Sequence, residues 1–518
     1  MPQLKRLFAG LLALLFVAVL AADSALVGAA HAQAAPDSVL RIAVVLKPIE
    51  DRFRFKGGIT PYETNIFETL VLLQPDMKMA PGLATSWERR GETTWRFHLR
   101  KGVRFHSGRA FDAASVKLSL ETSIRELRLL GLTRIKSITV VDAHTVDIET
   151  TMPFAGLPEA LSHPITSIGN LEQTGPLRPD GTGPFRHVSH VVDVELVVDR
   201  NPGYWGPPAK VGRIVFRIVT DPMTRLLALR RGEVDFIQSV SFGSIDSLER
   251  DAKFQVHKAV SSTVQVLWFN RLKPPVDDVR VRQAIAHAVD RKAIVDFVLL
   301  GIGEEAPAHI PPHMPWSIRD ETKGHVFDPE RARRLLSEAG WTATGRDGIL
   351  VKDGKRLEVE MSMHLLLGPQ AMSLAEAVQA MLKAVGVSMK LVVLERGAYF
   401  EARDRGDHQM SLGGNLIASA SGEFLLHQAH KDSSANRIAR VLWIGPHVDA
   451  LIDEAAGTFD QERRFDLYRQ VQRIWEAEAF SVPIYYAVGV DASARHVHGF
   501  VKHATTWSQR WDMVEIRR

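Results

Sequence analysis

Two histidines three residues apart, His427 and His430, could share one helix face and one metal ion, but a pair supplies too few ligands to hold a metal by itself. The short motifs that would mark a hydrolase or a phosphotransferase do not occur in the sequence. The chain has no G-x-S-x-G elbow, no H-E-x-x-H pair and no glycine-rich phosphate loop. Cysteine is absent, which excludes a disulfide, a thiol nucleophile, cysteine-ligated zinc and a lipid-modified cysteine. Tyr485, Tyr486 and Trp507 offer rings that could stack on a ligand. No cofactor is implied.

Elements able to position such groups are legible from local punctuation. Val- and Ile-rich sequence from Ser38 to Leu46 predicts a strand, and a β-rich, turn-rich stretch follows to about Glu149. Thr94–Arg100 alternates apolar and polar residues, and Lys101-Gly102 predicts a turn into Val103-Arg104-Phe105, a hairpin-like signal. Trp87, Trp95, Phe105 and Phe111 read as core aromatics, and Gly181–Pro184 as a tight turn. Asp221-Pro222 caps and opens a helix closed by Gly232, and Asp328-Pro329 does the same before Gly340. Val281, Ala284, Ile285 and Ala288 form another helical stripe. A longer helix from near Asp460 places Leu467, Val471, Ile474 and Trp475 on one face, with Pro483 expected to stop it. Helices interleaved with apolar strands predict α/β lobes joined by crossing strands rather than by a flexible tether.

At 518 residues, 45% hydrophobic and 24% charged, the chain can bury a large core divided into lobes. A formal charge of +4 over that length is too small to imply a nucleic-acid partner. Lys5 and Arg6 precede an apolar run from Leu7 to Ala22, and the small residues Gly28–Ala32 follow. That layout predicts a secretory signal over residues 1–32 with Ala30 and Ala32 at the cleavage site, and hence a freely diffusing periplasmic protein.

Several segments taken in order carry a resemblance: Asn65–Val71, Pro81–Trp87, Trp95–Arg100, Gly102–Gly108, Phe111–Ala113, Gly181–Phe185, Asn201–Trp205, Arg231–Asp235, Val281–Arg291, Leu335–Trp341 and Pro483–Tyr486. Their order and spacing resemble the family 5 extracellular solute-binding proteins of bacterial ABC importers, the dipeptide, oligopeptide and nickel group. The resemblance implies an α/β two-lobed periplasmic-binding-protein fold of type II, enlarged by a β-rich subdomain, with the ligand cleft between lobes. Lobe I would comprise 33–60, 185–265 and 486–518, the subdomain 61–184, and lobe II 266–485. The hinge would lie at Trp268, Phe269 and Asn270 and, on the return, at Ile484.

The resemblance implies a binding protein rather than an enzyme: capture of a peptide or a small polar or metal-chelate solute between two lobes, and delivery to ABC permease subunits by a monomer. A nickel- or metallophore-specific binder, a chemosensory binder and an exported hydrolase are the alternatives. Peptide-binding members of the group carry a Trp and then an Asp that holds the peptide amino terminus, and Leu412–Phe424 has neither. A buried ammonium needs a carboxylate partner, so Glu423 would have to substitute. By comparison with the nickel-type members, which hold an anionic chelate through arginines, aromatics and a histidine, the candidates are Arg125, Arg128, Arg396, and His427 or His430. The planar guanidinium fork suits carboxylates on such a chelate.

Overall fold

A computed structural model describes residues 38–45, 65–127, 130–172, 179–364, 367–368, 370–417, 422, 426–433, 441–505 and 508–517. The signal segment, Arg128, Glu423 and Trp507 lie outside the described residues. Met1–Ser38 separates as one unit and Val39–Arg518 as the other, and the first contributes only Ser38 to the description. Among the described residues no helix is long and apolar enough to cross a membrane.

The strand expected after Ser38 forms as β1 (Val39–Val44). It pairs in parallel on both edges, which is why it is almost wholly apolar and buried. The subdomain then builds a four-stranded sheet from β2 (Ala84–Arg89), β3 (Thr94–Leu99), β4 (Ile135–Asp142) and β5 (Thr145–Thr150), in the order β2-β3-β5-β4. The helix Ala113–Leu127 precedes β4 in the chain. Phe97, Phe105, Phe111, Val116 and Leu120 share its core, with Trp87 and Trp95 half-buried against it. Here the hairpin reading is corrected. Gly102 does turn the chain, at φ 76°. Both edges of β3 are already taken by β2 and β5, so Val103–Phe105 pairs only through an isolated Arg104–Ala110 bridge.

Lobe I continues with β6 (Phe185–Val191), β7 (Glu195–Arg200), β8 (Arg213–Ile218), helix α1 (Pro222–Arg230) and β9 (Phe236–Ile237). Asp221 caps α1 by accepting the Thr224 amide at 2.7 Å, and Gly232 at φ 70° follows its end. The long strand β10 (Phe254–Phe269) then enters lobe II. That lobe holds α2 (Val279–Ala288), α3 (Pro329–Glu338), β11 (Glu358–Met363), α4 (Ala371–Ala384), β12 (Ser388–Val393), α5 (Arg396–Arg405), β13 (Met410–Leu416), α6 (Pro446–Gly457) and α7 (Gln461–Ala477). Asp328 and Asp460 cap α3 and α7 as expected. Pro483 does not stop α7, which ends at Ala477. It sits instead inside the return strand β14 (Ser481–Ala494), beside a register shift.

One 11-stranded sheet runs through both lobes in the order β12-β11-β13-β10-β14-β9-β1-β8-β7-β6, with Glu304–Glu305 pairing on β14. β10 and β14 pair antiparallel along most of their length. The ladder breaks where Val260 faces Val488 and Val264 faces Tyr486, so that Ser261, Ser262 and Thr263 oppose Ala487 alone. That break lies upstream of Trp268, Phe269 and Asn270. Trp268 pairs with Ser481 at the far end of the ladder, and Trp268, Phe269 and Ile484 are all buried in lobe II cores. Ile484 is the extra residue of a second, smaller shift.

Burial also sets the acid response. Desolvation pushes His163 and His309 down to about 3, and His325, His364 and His408 down to about 4, from an ordinary 6.5. All five are neutral in the fold and gain a proton near pH 6.5 once unfolded, so acidification favours the unfolded chain between pH 6.5 and about 4. Each group contributes up to about 1.4 kcal/mol per pH unit in that window. Burial raises the carboxyls of Glu68 and Glu159, which act in the opposite direction but are fewer. Thermal unfolding is therefore expected several degrees lower at pH 5 than at pH 7.5; an unchanged midpoint would contradict this.

Candidate functional site

Strand direction points to a candidate site. β14 runs from lobe II into lobe I, and β9 is antiparallel to it, so the carboxyl ends of β9, β1 and β8 point toward lobe II. β13 is antiparallel to β10, and β11 and β12 run parallel to β13, so their carboxyl ends point toward lobe I. The two sets face each other across the bulge. In open α/β sheets the crevice outside the strand carboxyl ends is where ligands bind.

The lobe I lip consists of Val219-Thr220 after β8 and Gln238-Ser239 after β9. Arg225, fully buried in α1, ties both together. It donates to the carbonyls of Val219, Thr220, Gln238 and Ser239 at 2.7–2.9 Å. Desolvation lowers its pKa to about 10, where it still carries its charge at neutral pH. Ser239 holds φ 54°, a left-handed conformation uncommon for serine, and its amide is fixed by Asp491 at 3.0 Å.

The lobe II lip carries His364 after β11, Glu395 and Arg396 after β12, and Asn415 to Ile417 at the end of β13. Arg396 opens α5 and is half-buried, and burial lowers its pKa with Glu395 opposing. The Arg396 and Arg403 guanidinium groups lie 5.5 and 4.9 Å from the Phe400 ring centroid. The His364 ring stands 4.9 Å from Tyr399 and 5.8 Å from Phe400, and burial and then the Arg396 charge keep it neutral. This lip is cationic and aromatic, suited to a carboxylate or another anionic group.

At the bulge, Ser262 bonds in two directions: its amide donates to Ala504 and its carbonyl accepts from Ile417. The Ser262 hydroxyl, both ends of the Asn415 amide and the Thr505 hydroxyl are buried with no hydrogen-bond partner among the described residues. Buried polar atoms of that kind call for an explanation. Gly413 and Gly414 leave no slack: a Cβ on Gly414 would stand 2.9 Å from Thr263, and one on Gly413 would stand 3.2 Å from the Tyr399 hydroxyl.

The structure separates the residues singled out from sequence. Arg396 is on the lip. Arg125 is exposed in the last turn of the subdomain helix, near the Thr122 hydroxyl. Tyr485 and Tyr486 are core residues on opposite faces of β14, Tyr486 donating to the Ala308 carbonyl. His427 lies in a short 3-10 turn and its side chain is outside the described residues. His430 is buried with Nε2 3.4 Å from Asp453 and 3.9 Å from Asp449. Among the described residues no group of three or more histidines and carboxylates is placed to hold a metal ion. His364 and Asn415 were missed. The signal was present in the apolar alternation of Glu358–Met363 running straight into His364, but its use required knowing which end of that strand faces the other lobe.

A family model described as bacterial extracellular solute-binding proteins, family 5 Middle, matches residues 78–436. Heme-binding protein A of Haemophilus influenzae is 28% identical over 457 residues, covering 82% of this chain and 81% of that protein. Di/tripeptide-binding protein 1 of Pseudomonas aeruginosa is 28% identical over 458 residues, covering 82% and 83%. Among solved structures, NikA from Brucella suis in complex with Fe(III)-EDTA aligns with a TM-score of 0.82 at 25% identity, over 92% of this chain and 100% of that one.

Proposed function

We propose, for a chain that belongs to the bacterial extracellular solute-binding proteins of family 5, that it captures a small polar solute between its lobes and hands it to the permease of an ABC importer. The observation that carries this reading is the opposition of two sets of strand carboxyl ends across the broken β10–β14 ladder, with Arg396 on one lip. A solute touching both lips is fully contacted only when the lobes are shut, so occupancy biases closure and the permease can read it. The lobes meet, on this reading, at Ser261–Thr263 and Ala487, and the protein works as an exported periplasmic monomer whose residues 1–32 are removed.

The solute class follows from the lip chemistry. Arg396, Arg403 and neutral His364 around Phe400 favour an anionic or carboxylate-bearing molecule, either a peptide carboxyl terminus or a metal chelate. Relatives named for heme and for di/tripeptides are equally identical to this chain, so overall identity does not choose between those classes. The protein performs no chemistry on its solute.

A thermal-shift panel of dipeptides, nickel–histidine and hemin tests this. A ligand at one hundred times its dissociation constant adds about 2.7 kcal/mol to stability. One class is expected to raise the unfolding temperature, and the ligand should be recovered unchanged. Turnover of any panel member would overturn the binding reading.

A further inference from the structure

Among the described residues the subdomain meets lobe II in two places: Leu73 and Met77 pack into the lobe II core beside Met314 and Tyr468, and a polar elbow is formed by the end of α6, the residues that follow it and the start of α7. The Ala155 amide donates to the Ala456 carbonyl at 2.7 Å, Arg134 donates to Asp453 at 3.1 Å, and Arg464 donates to Glu159 at 3.2 Å. Phe459, between the two helices, lies under the Arg89 guanidinium at 4.1 Å and 6.1 Å from the Trp95 ring. Glu159 and Arg464 also line a cavity of about 430 Å³ between subdomain and lobe II, together with Asp76, Lys78, His313 and Tyr468.

Asp453 is shared. One carboxylate oxygen takes Arg134, and the other lies 3.4 Å from His430, on the segment that follows β13 from the crevice. His430 Nδ1 accepts the Asp432 amide at 3.1 Å, and Asp449, 3.9 Å from His430 Nε2, accepts the Trp443 indole N–H at 3.1 Å and the Lys431 amide at 3.1 Å. The line Trp443–Asp449–His430–Asp453–Arg134 therefore joins the chain leaving the lobe II lip to the subdomain.

We propose that Arg134 and Asp453 latch the β-rich subdomain onto lobe II, and that His430 is a positioning residue acting on that latch through Asp453. This rests on the two-lobe capture reading. The latch is weak by its physics. Asp453 is 40% exposed at the side chain and Arg134 8%; water reaching the carboxylate screens the pair, which shifts an equilibrium by roughly two- to five-fold. The buried Arg464–Glu159 pair sets register more than it adds stability, since desolvation offsets its attraction. A bias of that size lets the solute decide whether the lobes stay shut.

The chain has no cysteine, so Lys136→Cys and Glu462→Cys give two unique spin-label sites, one on each side of the elbow. Electron–electron distances are read without solute, in the full chain. The parent should give a dominant short distance. Arg134→Ala and Asp453→Asn should each add a longer population, about two- to five-fold over the parent fraction, with His430→Gln doing so to a smaller extent. Arg134→Lys should recover part of the short population. Asp453→Asn keeps the test available if Arg134→Ala does not fold, because Asp453 is half-exposed. Distance distributions unchanged in both Asp453→Asn and His430→Gln overturn the latch, whatever solute binding does. A responsive latch in a protein that binds nothing would overturn capture and leave the latch standing.

Discussion

Replacing Arg225 by methionine is expected to remove about 3–5 kcal/mol of stability, the largest loss from any single change near the site. Methionine can fill the apolar part of the space, but it leaves the carbonyls of Val219, Thr220, Gln238 and Ser239 without the four donors that now serve them. Those carbonyls terminate β8 and β9, so the loss falls on the lobe I lip itself. Arg225→Lys should recover little, because one ammonium cannot span four carbonyls that a planar guanidinium reaches at once. Urea unfolding followed by circular dichroism reads the effect, and a loss below about 1 kcal/mol would show that the lip holds its shape without this side chain.

Arg396→Ala is expected to weaken solute binding by about ten- to a hundred-fold while leaving the unfolding midpoint nearly unchanged. A charge-assisted bond to a carboxylate contributes about 1.5–3 kcal/mol, which converts to that range. The fold tolerates the change because the side chain is half-buried at the first turn of α5, a helix whose cap is Glu395 accepting the Gly397 amide at 2.6 Å. His364→Gln is the companion test and should cost less, since its ring is neutral and reaches the lip beside Phe400. Calorimetry with the solute found by the thermal-shift panel measures both. An affinity unchanged in Arg396→Ala would remove that residue from the site.

How much of this was legible in sequence depended on how local the cause was. Asp221-Pro222, Asp328-Pro329 and Asp460 announced their helices correctly because a cap acts within one turn of the residue that makes it. The Val103–Phe105 hairpin arm failed because the edges of β3 were claimed by β2 and β5, the latter far along the chain. The break in the ladder at Ser261–Thr263, upstream of the Trp268–Asn270 segment expected as a hinge, is visible only in the pairing register of β10 with β14, which a single strand's sequence does not encode. Arg396 was singled out through the chemistry of its type. His364 was not, because its significance lies in the direction of β11. His430, singled out for its ligand chemistry, lies among Asp449, Asp453 and Asp432.

The central claim is that one solute bridges the facing strand ends of both lobes. Hydrogen exchange compared between solute-loaded and stripped protein tests it most directly. The account predicts slowed exchange at Thr220 and Gln238–Ser239 of lobe I together with His364, Arg396 and Asn415–Ile417 of lobe II, while the far strands β6 and β7 are unaffected. Protection confined to one lobe, or lying away from these strand ends, would contradict it.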